Sequence, residues 1–118
     1  MKRRAAGLAL AALALSLHGF APAQNFPDKP IKLVVPYPPG ASTDAVGRIV
    51  GQKVAAALGQ PVVVDNRAGA SGNIGTEFVA RSGADGYTFG LGTDATHAAN
   101  FFMQDKPAFD PAKDFTPL

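Results

Sequence analysis

The run Ile31-Lys32-Leu33-Val34-Val35 breaks directly into Pro36-Tyr37-Pro38-Pro39-Gly40, and this junction restricts the fold more than any other stretch of the chain. The first five residues are short, nearly continuous and rich in β-branched side chains, the pattern of a strand covered on both faces. Three prolines and a glycine then exclude both helix and ladder, because proline has no amide hydrogen and its ring fixes φ. A buried strand must therefore end in a stiff, sharply turned loop. The polar, proline-punctuated stretch from Asn25 to Pro30 reads as an extended lead-in.

After the loop the period changes. Val46, Val50, Val54 and Leu58 recur at i+4, with Ile49 and Ala57 beside them, and Arg48, Gln52 and Lys53 lie off that stripe. This predicts an amphipathic helix of about four turns with the valine stripe inward. Ser42 or Thr43 is expected to cap it, with Asp44 favourably placed in the first turn. Gly59 suits the position after the helix, and Pro61 prevents continuation. Val62-Val63-Val64 then reads as a second buried strand. A strand, a helix and a strand in this order should cross over right-handed into a parallel pair.

Asp65–Gly72 is a turn-rich loop, followed by a helix expected from about Asn73 to Ser82. Its inward residues should be Ile74, Phe78 and Val79, with Glu77 and Arg81 as an outward i,i+4 pair. Tyr87–Thr93 reads as a third strand in which Gly90 and Gly92 mark close backbone approach. Asp94–Asn100 is a loop or short helix, and Pro107, Pro111 and Pro117 argue for extended segments beyond it. The alternation β-α-β-α-β predicts an α/β fold on a parallel sheet.

The first residues belong to a different problem. Lys2, Arg3 and Arg4 precede a run from Leu8 to Leu17 made of Ala, Leu and one Ser, and Ala21-Pro22-Ala23 follows. This is the three-part layout of a secretory signal, expected to be cleaved after Ala23 and to leave residues 24–118 as the exported product. A membrane anchor needs roughly 20 apolar residues, and His18, Gly19 and Pro22 interrupt this run too early, so no stable membrane insertion is expected after cleavage. The leader also distorts the charge. The chain has 11 basic and 9 acidic residues; the eight basic residues that follow the leader face all nine acidic ones, a formal charge of −1. No basic patch remains for nucleic acid. The absence of cysteine excludes disulfides, thiolate metal sites and a lipidated N-terminal cysteine.

In open α/β sheets, ligands bind beyond the carboxyl ends of the strands. Three loops leave strand ends here, Tyr37–Asp44, Asp65–Asn73 and Thr93–Asn100, and the first two run straight into helix starts. Free backbone N–H groups and the helix dipole make such places receptive to an anion. Candidate binding residues are Tyr37, Pro39, Gly40, Ala41, Ser42, Thr43 and Asp44 in the first loop. The second contributes Gly69, Ala70, Ser71, Gly72 and Asn73, and the third Thr93, Thr96 and His97. Few of these are charged, so a carboxylate should be held mainly by dipoles. Plainer roles compete with this one. Ser42, Thr43 and Asp44 suit a cap, and Gly69 and Gly72 suit turns. Asp44 either pairs with Arg48 or accepts from a ligand amine or hydroxyl. A lone His97 is more often structural than catalytic or metal-binding.

Enzyme chemistry is poorly supported. There is no G-x-x-x-x-G-K-[ST] phosphate loop and no G-x-S-x-G elbow. Gly69-Ala70-Ser71-Gly72-Asn73-Ile74-Gly75 opens a helix after a strand but lacks dinucleotide-binding spacing. Two histidines, one in the leader, cannot make a typical zinc site. No cofactor and no metal are expected.

Taken in order, several segments closely resemble the Bug family, the substrate-binding receptors of tripartite tricarboxylate transporters. They are Pro27–Pro36, Pro38–Asp44, Gly59–Arg67, Gly72–Gly75, Asp85–Thr88, Thr96–Ala98 and Phe109–Pro117, and they span nearly all of residues 24–118. The resemblance implies a non-catalytic periplasmic binding protein of two α/β lobes closing on a small carboxylate and presenting it to membrane permease subunits. It implies that Pro39–Asp44 and Gly69–Asn73 are carboxylate-gripping turns and that Thr93–His97 lines the cleft. The chain departs from the family where Ala41 replaces a usual Gly, Ala68 a usual Pro and Ser71 a usual Gly. Phe101-Phe102-Met103 replace a proline, a small residue and Leu-Tyr. Family members are about two to three times longer, so the expectation is an N-terminal piece of the first lobe with the second lobe absent, supplying half a cleft. Weak or undetectable binding in isolation is expected with it, and exposed apolar surface where later strands should pack. The competing expectation is a truncated remnant, or an exported interaction module without ligand.

Overall fold

The computed structural model describes residues 25–104 and 106–118. The export signal read in residues 1–23 lies outside them. Strands β1 (Ile31–Val35), β2 (Val62–Asn66) and β3 (Thr88–Gly90) form one parallel sheet in the order β2-β1-β3. Helix α1 (Ser42–Leu58) links β1 to β2, and α2 (Asn73–Ala80) links β2 to β3. A π-helical turn over Ala95–Ala99 runs into the short α3 (Asn100–Met103). Ile31 stands opposite Val62, Val35 opposite Asn66 and Leu33 opposite Phe89. The expected β-α-β-α-β order on a parallel sheet is therefore the order found. No helix among the described residues is long and apolar enough to cross a membrane.

β1 is central and its side chains are the core: Ile31, Leu33, Val34 and Val35 are at most 2% exposed. Burying four such side chains contributes about 1.5–3 kcal/mol each. Leu33 and Val35 meet α1, whereas Val34 faces the α2 side with Gly75 and Val79. Lys32 alternates outward, and its ammonium lies 3.8 Å from Asp65.

α1 does not use the face that its hydropathy predicts. Val46 (51% exposed), Ile49 (62%) and Leu58 (41%) point outward, and Val50 is exposed too; the buried residues are Asp44, Gly47 and Gly51. The reason is the closeness of the packing. A Cβ on Gly47 would stand 2.8 Å from Val35 Cγ2 and 3.1 Å from Leu91 Cδ1; one on Gly51 would stand 3.3 Å from Val62 Cγ1. The helix comes closest to the sheet where it has no side chain, and most of the valine stripe is left aside, Val54 alone being half-buried. The start also differs from expectation. The residue before α1 is Ala41, in extended conformation, and neither Ser42 nor Thr43 caps the helix. The end is as expected: Gly59 is left-handed (φ 69°) and donates its N–H to the Ala55 carbonyl.

α2 repeats the pattern. Gly75 and Thr76 are buried, and a Cβ on Gly75 would lie 2.8 Å from the Arg67 carbonyl oxygen and 2.9 Å from Pro36 Cα. Ile74, expected inward, is exposed and lies over Gly69 instead. Phe78 is half-buried with the Arg67 guanidinium 3.6 Å above its ring. The Glu77–Arg81 pair forms at 2.7 Å. β2 is an edge strand, so Val63 is more than half exposed rather than buried. β3 pairs over three residues, not seven. Leu91 still donates to the Val34 carbonyl, but at Gly92 the chain meets the His97 ring 2.9 Å from where a Cβ would sit, and it turns away.

Candidate strand-end binding site

The three loops at the carboxyl edge of the sheet meet at Tyr37. Its hydroxyl lies 3.0 Å from Thr93 Oγ1, joining the first loop to the third. Gly72 of the second loop approaches the same ring. A Cβ there would stand 3.3 Å from Tyr37 Cζ and 2.6 Å from the Thr96 methyl. Thr96 is fully buried, accepts from the Thr93 amide at 3.0 Å and sits 2.8 Å from His97 Nδ1. Tyr37, Gly72, Thr93 and Thr96 are thus brought into one cluster although 59 residues separate the first from the last.

The first loop is fixed by Asp44. Its Oδ2 accepts from the Gly40 amide and from Arg48 Nε, both at 2.9 Å, and its Oδ1 accepts from Asn66 Nδ2 at 2.9 Å. The Arg48 hydrogen bond, then those from Gly40 and Asn66, hold its carboxyl far below the usual carboxylate range. Of the two roles left open for Asp44, the structure shows the pairing with Arg48. Both oxygens of this buried group accept from the protein's own chain. Asn66 also donates to the Tyr37 carbonyl at 3.1 Å, so the end of β2 is tied to the loop after β1.

With Ala41 before α1 and no side-chain cap, the first helical amides, those of Ser42, Thr43 and Asp44, precede the first intrahelical bond, which runs from Ala45 N–H to the Ala41 carbonyl at 3.1 Å. Pro39 and Gly40 lie exposed beside them.

The second loop is built differently. Gly69 (φ 134°), Ala70 (48°), Ser71 (54°) and Gly72 (92°) form four successive positive-φ residues, closed by a bond from Gly72 N–H to the Gly69 carbonyl at 2.9 Å. For the two non-glycine residues this conformation costs on the order of 1–3 kcal/mol each. The turn ends at Gly72, the residue before α2, which likewise lacks a side-chain cap. Asn100 Nδ2 donates to the Ser71 carbonyl at 3.0 Å and to Asn73 Oδ1 at 2.8 Å, fastening the third loop to the second.

His97 takes a separate place. Its ring packs on Phe115, centroids 4.9 Å apart, and burial pushes its pKa down. With Val34, Gly75, Val79 and Leu91 it lines a small cleft of mixed polar and apolar character on the α2 side of the sheet. Among the described residues no cluster of His, Asp or Glu is arranged to hold a metal ion. Sequence reasoning passed over Asn66 and Asn100. The signal for Asn66 is an amide closing a run of valines at a strand's carboxyl end; Asn100 has no local signal, because both partners lie 27 or more residues away.

Residues 46–118 match the tripartite tricarboxylate transporter family receptor. Protein BugT of Bordetella pertussis is 49% identical over 77 residues, covering 65% of this chain and 24% of that one. Among solved structures, R. palustris Rpa4515 with adipate is 43% identical with a TM-score of 0.74, over 78% of this chain and 31% of that one. MatC (Rpa3494) from Rhodopseudomonas palustris with bound malate is 39% identical with a TM-score of 0.75, again over 78% and 31%. The chain therefore spans about a quarter of the length of that curated relative and under a third of those structures.

Proposed function

The chain belongs to the tripartite tricarboxylate transporter receptor family, and from that membership we propose that it forms one wall of a carboxylate-binding cleft in a periplasmic solute receptor. One observation carries the reading. Three strand-end loops converge on Tyr37, and two of them deliver helix starts whose first amides have no side-chain cap. A carboxylate seated there accepts from the first amides of α1 and is favoured by the positive end of α2, whose Gly72 and Asn73 amides already donate to the Gly69 and Ala70 carbonyls, and no side-chain cation is needed. Arg48 is committed to Asp44 and Arg67 to Asp65. Tyr37, Pro39, Gly40, Ala41, Ser42 and Thr43 line one side, Gly69–Asn73 the second, and Thr93 the third, with the fully buried Thr96 behind it and His97 set apart against Phe115. Asp44 acts from behind by holding the first loop. The adipate and malate held by the two Rhodopseudomonas proteins support a dicarboxylate as ligand class.

The receptor binds without catalysis, works outside the cytoplasmic membrane after cleavage behind Ala23, and hands its ligand to membrane permease subunits. A ¹⁵N-detected titration of the chain with malate tests the binding. The expected result is saturable shifts concentrated on the amides of Ser42–Asp44 and Ala70–Asn73, absent with malic acid diamide. Uniform or absent shifts at tens of millimolar malate, roughly the limit for a weak single wall, would overturn it.

A further inference from the structure

We propose that Asn100 is a positioning residue that sets which end of the Asn73 amide is offered to an anion, an inference that rests on the receptor reading above. The argument starts from an acceptor that cannot change role. The Ser71 carbonyl only accepts, so the group of Asn100 that meets it at 3.0 Å must be the NH₂. The same NH₂ then reaches Asn73 at 2.8 Å, which obliges Asn73 to present its oxygen. The nitrogen end of Asn73 is thereby left on the other side, and among the described residues nothing accepts from it. At the residue that opens α2, this adds a side-chain donor to a helix start that already favours negative charge.

The first of the two bonds has a second effect. Ser71 sits at φ 54° and Ala70 at φ 48°, conformations that non-glycine residues leave when nothing holds them. Among the described residues, the hydrogen bond from Asn100 is the side-chain contact that the carbonyl of this turn receives. One side chain at the start of α3 therefore holds the turn and aligns the donor beside it, across 29 and 27 residues of sequence.

The test uses Asn100→Asp and Asn100→Ala in the chain, titrated with malate and with its uncharged diamide. Asn100→Asp puts oxygen against two oxygens and turns Asn73 around. Malate affinity is expected to fall about tenfold while the diamide changes by no more than about twofold, a loss matching one hydrogen bond to a charged group. A parallel loss for both ligands, or none for malate, would overturn the proposal. Asn73→Asp serves as a second variant: it keeps the acceptor for Asn100 but removes the donor, and it should reproduce the malate loss. A ligand-free measurement separates this proposal from the receptor reading. In Asn100→Ala the HN–Hα couplings and Cα shifts of Ala70 and Ser71 should move away from left-handed values. If they stay, the proposal fails even where malate binds; if they move but the parent chain binds no malate, the receptor reading fails instead and the claim about Asn73's donor falls with it.

Discussion

The turn between β1 and α1 and the turn between β2 and α2 both deliver a helix start to the same edge of the sheet, and they are stiffened in different ways. The first is held from within. Prolines at 36, 38 and 39 restrict φ, and Asp44 reaches back four residues to the Gly40 amide while pairing with Arg48 one turn on. The second carries four positive-φ residues and is held from outside, by Asn100 and by the tight fit of Gly72 against Tyr37 and Thr96. The first turn takes most of its bracing from residues within a few positions, with Asn66 of β2 added from outside, whereas the side-chain bracing of the second comes from the third loop and from Tyr37. The proposed wall therefore joins a locally braced turn to one braced from a distance.

The largest effect should come from the turn braced from a distance. Gly72→Val places a branched side chain at φ 92°, with its Cβ 2.6 Å from the Thr96 methyl. A loss of about 3 kcal/mol is expected from strain and overpacking together. Urea denaturation measures it, and a loss below about 1 kcal/mol would show that the second turn adjusts freely.

Next comes the locally braced turn. Asp44→Asn keeps the shape but sets an NH₂ against Arg48, Asn66 or Gly40, and a drop of roughly 5 °C or more in melting temperature is expected. The pH dependence has a definite sign. The Asp44 pKa is depressed on folding, so its contribution is full above the ordinary carboxylate value and is lost as pH falls below about 4 toward the folded value. Asp110, held low first by the Ala112 amide and then by Lys113, loses its contribution in the same direction. The melting profile of Asp44→Asn between neutral and acid pH should be flatter than the parent's; identical slopes would remove Asp44 from the account.

A smaller effect separates stability from binding. Ala41 precedes α1 with φ −69° and ψ 162°, a conformation suited to a capping side chain that alanine does not have. Ala41→Asp should raise stability by about 1 kcal/mol and weaken malate binding, because its carboxylate occupies the amides that the ligand needs. Stability and affinity rising together in calorimetry would contradict this. The smallest effect concerns the helix hung from the first turn: Ile49→Gln should change stability by no more than about 0.5 kcal/mol, since the side chain is 62% exposed. A cost of 2 kcal/mol in the same denaturation series, typical of a buried position, would restore the valine stripe to the core.

Much of this architecture was legible in the residues. β1 announces itself by five consecutive strand formers and its proline stop, and α1 by its period and its Gly59 end. The three strand-end loops follow from the alternation of elements. What misled the reading was hydropathy at α1 and α2. Periodicity weighs side chains, and the closest approaches to the sheet are made at Gly47, Gly51 and Gly75, which have none, although Val79 packs on β3 at Gly90 as its place in the pattern predicts. The same blindness affects Ser42 and Thr43, whose preference for caps is real but unused, because the helix begins one residue earlier.

The sequence by itself determined the order of elements, the places where the chain must turn and the residues available at each turn, because propensity, proline geometry and burial of β-branched runs act over a few neighbours. Tertiary structure decided which face of each helix touches the sheet, that β2 is an edge, and that Asn66 and Asn100 reach across 29 residues each to fasten one loop to another. Those outcomes depend on how closely backbones approach and on partners distant in the chain, and neither quantity is a property of any local stretch of residues.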